Sequence, residues 1–401
     1  MDAVRPQVLF TRLFHDPPAP FRAWQEAPAR FLLCLGKASI DSAGAILRQT
    51  SCQDHFVLSP YGGASTLNVH IGSHPVPNQK SRHATRELLQ WLSSLPSDSN
   101  LLVVLSGGTS ALLVSPLPGL SLNSKMLVNQ MLIRSGASIQ EINAVRKHLS
   151  SVKGGQLARY TGNLKCLVLV ISDVIGDDLS TIGSGPFYPD PSTFLDARRI
   201  LQQYQLWDQV PEDVREILQN GIGGTLPETP KSNPAGIPHI IVGSNEIARL
   251  AAAERAKQLG YEVDLWPESL SALVGEVATL FEDSIRKNGS NRALIAGGEI
   301  TIQVQGTGMG GRNQHLALLM AQKIAGKNIV FGAIGTDGID GNSPAAGAWA
   351  DGQTFDRASG EETFRSAVEE CDSYHYFQRI GQNIVTGPTG TNVMDLYVAL
   401  T

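Results

Sequence analysis

The stretch VISDVIGDDLSTIGSGPFYPDP (170–191) gathers the residue types that hard-cation and phosphate chemistry needs. An apolar run ends in Ser172 and Asp173, and Asp177 and Asp178 follow within one short loop. A turn of Gly183, Ser184, Gly185 and Pro186 comes next. Carboxylates at a strand end supply oxygen ligands for Mg²⁺, and glycine turns supply backbone N–H groups for phosphate. Helix capping by Asp177 and Asp178 is the simpler alternative. LLVVLSGGTSALLV (101–114) repeats the arrangement as strand, glycine turn and helix start. Ser106, Gly107, Gly108, Thr109 and Ser110 there suit an oxyanion or a helix cap. The turn is not a hydrolase elbow, because Leu112 stands where G-x-S-x-G requires glycine. G-x-x-x-x-G-K-[ST] is absent from the chain. Lys37 closes another apolar run in LCLGKAS, where a lysine suits a phosphate or a carboxylate.

The second half carries a further set. GGEITIQVQGTGMGGRNQHLAL (297–318) reads as a strand-like alternation of Ile300, Ile302 and Val304, then glycines, then a helix. Gly306, Gly308 and Gly311 satisfy the dinucleotide spacing G-x-G-x-x-G, and Asp337 lies 26 residues beyond Gly311. Gly308 and Gly310 lie in the same loop, and Arg312 and Asn313 follow the last glycine at once. A charge at the helix start favours a charge-rich anion over a plain pyrophosphate turn. AIGTDGIDG (333–341) ends a strand in Thr336 and Asp337 with Asp340 close behind. TGPTGTNVMDLYVAL (386–400) places Thr389, Thr391 and Asn392 in a glycine turn before Asp395, in a terminal strand or helix. In EINAVRKHLSSVKGGQLA (141–158), Arg146, Lys147 and Lys153 read as a solvated helix surface, since Arg146 and Lys147 are about 100° apart on a helix, and His148 reads as a structural hydrogen-bonding residue.

These residues need elements to hold them. Short apolar runs at 31–36, 101–108, 164–173, 239–245, 292–299 and 328–338 each end at or beside Gly, Ser, Asp or Asn. Most are followed by a segment of helical period. That is the rhythm of an α/β protein with buried, mostly parallel strands, whose ligands gather at the strands' carboxyl ends. The stretch NGIGGTLPETPKSNPAGIP (220–238) reads as a linker. It divides the chain into domains 1–235 and 236–401.

Composition narrows the function. With 401 residues, 17% charged, 42% hydrophobic and a net charge of −5, the chain is folded and long enough for two cores. It lacks the basic stripe of a nucleic-acid binder. No apolar run approaches the ~18 residues that cross a bilayer, and the N-terminus lacks a signal-peptide pattern. Cys34, Cys52, Cys166 and Cys371 show no C-x-x-C spacing, so a reducing, cytoplasmic setting is expected.

Taken in order, LGKAS, LSGGTSALL, EINAVRKHLSSVKGGQLA, SDVIGDDLSTIGSGPFYPDPSTF, GGEITIQVQGTGMGGRNQHLAL, GTDGIDG…AAGAWADGQT and TGPTGTNVMDLYVAL resemble the glycerate 2-kinase family, whose C-terminal part is the MOFRL domain. The resemblance implies transfer of the ATP γ-phosphoryl group to the 2-hydroxyl of D-glycerate, with Mg²⁺. It implies a Rossmann-like N-terminal α/β/α domain, a smaller α/β C-terminal domain and a site in the cleft between. Lys37 and Arg312 match the family's catalytic basic residues. Glu299, Asp337 and Asn392 match positions lining the same cleft. The chain departs from the family with SHPVPN (73–78) for GHPVPD, His315 for a glutamate, and Pro344 for an acid.

The expected division of labour follows. Asp173 and Asp178 hold Mg²⁺, while the turns bearing Ser106, Gly107, Gly108, Ser110, Ser184 and Gly185 hold phosphates. Lys37 and Arg312 bridge the γ-phosphoryl group or the glycerate carboxylate, and Asp337 or Glu299 is the base. Gly308, Gly310, Asn313, Thr391 and Asn392 complete the substrate contacts. The rival expectation is an NAD(P)H-dependent hydroxypyruvate reductase using Gly306 to Gly311 and Asp337.

Overall fold

A computed structural model describes residues 1–62, 66–233, 236–287, 289–358 and 360–401. The chain forms two compact units. The first comprises Phe10–Ser172 and Asp177–Val242; the second comprises Met1–Leu9, Asp173–Gly176 and Gly243–Thr401. The boundary expected near 235 falls on a residue outside those described. Beyond it the chain stays in the first unit as far as Val242, within a strand at His239–Gly243.

The strands of the first unit are β1 (Arg30–Leu35), β2 (Asp54–Ser59), β3 (Val69–Ile71), β4 (Asn100–Leu105), β5 (Lys165–Ile171) and β6 (His239–Gly243). Their order across the sheet is β3-β2-β1-β4-β5-β6. β2 pairs β3, β1 pairs β2 and β4, and β4 pairs β5, all parallel. The runs FLLCL, LLVVL and CLVLVI are buried at every residue, as strands covered on both faces must be. Phe10, Phe21, Trp24, Ile46, Val57, Val104 and Leu169 form the core on one side. A separate helical core joins Val128, Leu132, Ile142, Val145 and Leu149 to Phe194 and Leu201.

The second unit holds β7 (Glu262–Leu265), β8 (Arg292–Gly298), β9 (Val330–Gly335), β10 (Gly347–Asp351), β11 (Asn383–Ile384) and β12 (Asp395–Leu400), ordered β11-β10-β9-β12-β8-β7. Helices cover both faces. Phe281, Leu316 and Met320 pack with Phe331 and Tyr397 on one side, and Ala253 and Ala256 with Ile295 and Leu396 on the other. The α/β layering expected from the sequence is present in both units. The direction of the second sheet needs correction. β7 and β8 are parallel, but β12 runs antiparallel to β8 and β9, and β10 runs antiparallel to β9 and β11. β9 and β10 are joined by a short helix-free segment, and parallel neighbours need a crossover of about a dozen residues or more. Apolar runs buried on both faces carry no sign of direction, so the sequence pattern could not show this.

The strand-like alternation of Ile300, Ile302 and Val304 is not a strand. β8 stops at Gly298, and irregular chain continues until the helix Arg312–Lys323. Val304 is exposed, so the alternation has no buried sheet face to pack against.

Candidate functional site

The antiparallel insertion of β12 builds the constellation in the second unit. Its first residue, Asp395, lies in register with Gly298 and Gly335, the last residues of β8 and β9. The helix Arg312–Lys323 starts at the same edge. A cavity of about 500 Å³ there is lined by Gly308, Gly310, Arg312, Asn313, Asp337 and Asn392, all anticipated from the sequence. Cys371, Asp340 and Asp395 also line it.

Arg312 is held from two sides. Its Nε donates to Asp395 Oδ2 at 2.6 Å, Nη2 to Asp395 Oδ1 at 3.2 Å, and Nη1 to Glu299 Oε1 at 2.8 Å. A guanidinium has five N–H donors, so two remain for a substrate oxygen among the described residues. Burial lowers the Arg312 pKa, but Asp395 and Glu299 outweigh it and hold it above its ordinary value. Burial raises Asp395, opposed by Arg312, Asn313 and the Tyr397 hydroxyl. Glu299 sits beside Arg312 but does not line the cavity. Asp337 does line it. Its Oδ1 accepts from the Ile339 amide at 3.2 Å, and its second oxygen has no hydrogen bond among the described residues.

The glycine loop serves a different purpose from a dinucleotide turn. The amide of Gly308 donates to the Glu370 carbonyl at 2.8 Å, that of Met309 to Asp372 Oδ1 at 2.9 Å, and that of Gly310 to Asn342 Oδ1 at 2.8 Å. The helix behind it is capped by Asp340, whose carboxylate accepts from the amides of Asn313 at 3.1 Å and Gln314 at 2.7 Å. A Cβ on Gly311 would lie 2.3 Å from Asp340 Oδ1, so glycine is required for this approach. The anion at this helix start is therefore the protein's own. Burial pushes the Asp340 carboxyl up to about 7, with the amides pulling down and Asp395 adding to the rise. Thr391 is buried and does not line the cavity, and Asn392 Oδ1 accepts from the Met394 amide.

In the first unit, the strand order makes β1 and β4 neighbours whose onward chains diverge, a topological switch point. Their carboxyl ends interlock. The Lys37 amide donates to the Gly107 carbonyl at 2.8 Å, and Ser106 Oγ accepts from the Ala38 amide at 3.1 Å. Gly36, at φ +114°, passes so close to Ser106 that a Cβ would lie 2.3 Å from its Oγ. Gly108, also left-handed, has the Lys37 and His74 side chains against it. Ser110 Oγ meets Ser184 Oγ at 2.9 Å, and Ser184 Oγ donates to Asn143 Oδ1 at 3.1 Å. The Gly185 carbonyl accepts from the Gly155 amide. The structure thus brings together Lys37, the 106–110 turn and the 183–186 turn. Gly108 and Ser110 open onto a cavity of about 460 Å³.

Sequence reasoning missed most of that cavity's polar lining. Lys125, Arg146 and Lys153 all face it. Arg146 and Lys153 read as a solvated surface, yet Lys153 is 1% exposed and Lys125 6%. The available signal was a lysine inside the apolar helical pattern LNSKMLVNQMLIR, where a solvated charge has no place. Asp340 was visible as a loop acid and Asp395 as an acid opening a terminal strand or helix, but their grip on Arg312 and Asn313 was not.

Both acids expected to hold Mg²⁺ already have partners within the protein. Asp178 Oδ1 accepts from the Ser180 amide, and Oδ2 accepts from the hydroxyls of Ser180 and Thr181, so it caps its own turn. Asp173 is engaged within the structure. No cluster of three or more His, Cys, Asp or Glu suited to a metal ion occurs among the described residues. Two departures also have structural readings. Asn78, in place of aspartate, caps the helix Gln79–Ser94 by accepting from the Lys80 and Ser81 amides. His315 is buried in its helix, and desolvation lowers its pKa to about 4. Among the described residues no helix is long and apolar enough to cross a membrane.

Comparison with known proteins adds an independent line. Residues 1–219 match a domain of unknown function, DUF4147, and residues 292–395 match the MOFRL family. The glycerate 2-kinase of Pyrococcus horikoshii is 37% identical over 92% of this chain and 87% of its own length. A relative from Agrobacterium vitis, 36% identical over 91% of this chain and 85% of its own length, is named provisionally as a hydroxypyruvate reductase. The crystal structure of a glycerate kinase from Thermotoga maritima superposes with a TM-score of 0.89 at 33% identity, covering 100% of this chain and 96% of that one.

Proposed function

This chain belongs to the glycerate 2-kinase family, and we propose that it transfers the γ-phosphoryl group of ATP to the 2-hydroxyl of D-glycerate, giving 2-phosphoglycerate and ADP. The observation that carries the reading is Arg312, a guanidinium fixed by a buried carboxylate with two donors left over, beside Asp337. Phosphoryl transfer needs positioned cations more than covalent chemistry, and a guanidinium aimed in advance meets that need without reorganisation.

Arg312 binds the γ-phosphoryl group or the glycerate carboxylate through its free N–H groups. Lys37, at the switch point of the first unit, supplies a positive charge suited to a phosphate there. Asp337 is the better base of the two expected, because Glu299 is already paired with Arg312. It takes the proton from the 2-hydroxyl as the oxygen attacks phosphorus, and ADP leaves with the bridging electron pair. Mg²⁺ would neutralise phosphate charge as it does in other kinases. Asp173 would be the first residue to hold it, together with the phosphates it accompanies, and the steps above use the protein's own groups. The strand order of the first sheet is that of Rossmann folds, which supports nucleotide handling in that unit.

The reductase reading loses its main support, since the G-x-G-x-x-G loop is not a strand-to-helix turn and the amides of Gly308, Met309 and Gly310 are already engaged. ADP release with D-glycerate as acceptor tests the proposal. Arg312→Ala is expected to lower kcat by roughly 10²–10³, the scale of one lost transition-state donor. Equal turnover by variant and wild type would remove Arg312 from the site. NADH oxidation with hydroxypyruvate, in place of ADP release, would sink the kinase reading.

A further inference from the structure

The 460 Å³ cavity of the first unit has a chemical character that the reading above leaves unused. One wall is the edge of the helical core, formed by Val128, Leu132, Ile142, Val145 and Leu149. Three cations project beside this apolar wall. Lys125 Nζ donates to the carbonyl oxygens of Arg146 at 2.9 Å and Leu149 at 3.0 Å. Lys153 Nζ donates to the Ser110 carbonyl at 2.8 Å. Arg146 donates to the side-chain oxygens of Asn129 and Asn143.

Every one of these partners is neutral. No aspartate or glutamate lines the cavity, and among the described residues none of the three cations forms an ion pair. The neighbouring Lys147 makes the contrast, since it is paired with buried Asp190 at 3.2 Å. Burial lowers the pKa of both Lys125 and Lys153, and Arg146 lowers each further. Holding charge on three basic groups in a buried wall without a counter-ion carries an electrostatic cost in the empty protein. A bound anion removes that cost.

Charge and shape narrow the anion. Three cations match a polyphosphate, whereas a single carboxylate such as that of glycerate would offset only one. The aliphatic wall suits a flat, weakly polar group, and the volume is within the range of small-molecule sites. The carbonyl that Lys153 holds belongs to Ser110, so the 106–110 turn forms the polar rim.

We propose that this cavity seats the adenine nucleotide, with its phosphates on Lys125, Arg146 and Lys153 and its base against Val128, Leu132 and Val145. The proposal rests on the kinase reading and assigns the 106–110 turn to ATP.

The test is calorimetric titration of ADP, without acceptor, into the full chain as wild type, Lys153→Met and Ile133→Trp. Ile133 lines the mouth of the cavity and is 57% exposed, so its tryptophan variant narrows the cavity without burdening the core. Both variants are expected to weaken ADP at least tenfold and to raise KM for ATP in step. KM for D-glycerate is expected to stay within about twofold. Inorganic triphosphate should displace ADP from wild type. ADP binding at wild-type affinity by either folded variant overturns the proposal, as does a change confined to the D-glycerate KM. If wild type turns over and the variants bind ADP normally, this site fails while the kinase reading stands. If wild type does not phosphorylate glycerate but loses ADP binding in both variants, the kinase reading fails while the site stands.

Discussion

Replacing Asp395 by asparagine isolates what a buried carboxylate does for Arg312. The side chain is 2% exposed and accepts from Arg312 Nε and Nη2, from Asn313 Nδ2 at 3.1 Å, and from the Tyr397 hydroxyl at 3.1 Å. Asparagine keeps the shape but turns an NH₂ toward these donors, so at least one meets a donor. Breaking a buried ion pair costs about 3–5 kcal/mol. Arg312 is 31% exposed and can recover part of its hydration, which reduces the expected loss to about 2–3 kcal/mol. For a unit of this size that is a fall in Tm of roughly 4–12 °C. Glu299→Gln is the control. Its carboxylate is 48% exposed, and an exposed pair is worth about 0–1 kcal/mol. Thermal and urea unfolding measure the stability, and ADP release measures turnover. kcat should fall further in Asp395→Asn than in Glu299→Gln, because only the buried contact fixes the plane of the guanidinium. Equal losses in the two variants, in both Tm and kcat, would refute the claim that Asp395 positions Arg312.

Asp340 provides a test by pH. Its carboxyl is pushed up to about 7 in the folded chain, against an ordinary value near 3.8. The folded state therefore binds this proton more tightly than the unfolded state. The contribution is fully present below about pH 4 and is lost as pH rises toward 7, at up to about 1.4 kcal/mol per pH unit. Urea midpoints between pH 4.5 and 7.5 should show this decline in wild type relative to Asp340→Asn; parallel profiles would contradict it. Among the thiols, Cys371 lines the cavity beside Arg312. Burial pushes Cys166 up to about 11 and Cys34 well above the ordinary thiol range. Iodoacetamide should alkylate Cys371 first and inhibit the enzyme, with substrate protecting it. Labelling of Cys34 in the native chain would show that its core opens readily.

The apolar runs announced β1, β4, β5 and β8, because a strand buried on both faces must be apolar throughout, and also β6 and β9, which are apolar but only partly buried. They could not announce β2, β3, β7 or β10, which are short or carry polar residues, as in DHFVLS and EVDL. The glycine turns at 106–110 and 183–186 were legible because positive φ and close approach demand particular residues. Arg312, Asn313, Asp337 and Asn392 were legible because each follows or precedes such a turn at a strand or helix end. Lys125 and Lys153 were not, since local pattern reports the period of a helix and not what packs over it.

What the sequence determined by itself was the list of chemically capable residues, the α/β rhythm and the family. Those properties are local or ordered along one dimension. The tertiary structure decided which carboxylate meets which cation. β12 enters between β8 and β9 and delivers Asp395 to Arg312, 83 residues apart in the chain. Helix packing buries Lys125, Arg146 and Lys153 around one cavity without a counter-charge. Electrostatic energy depends on distance and burial, and both are set only when remote segments close on one another.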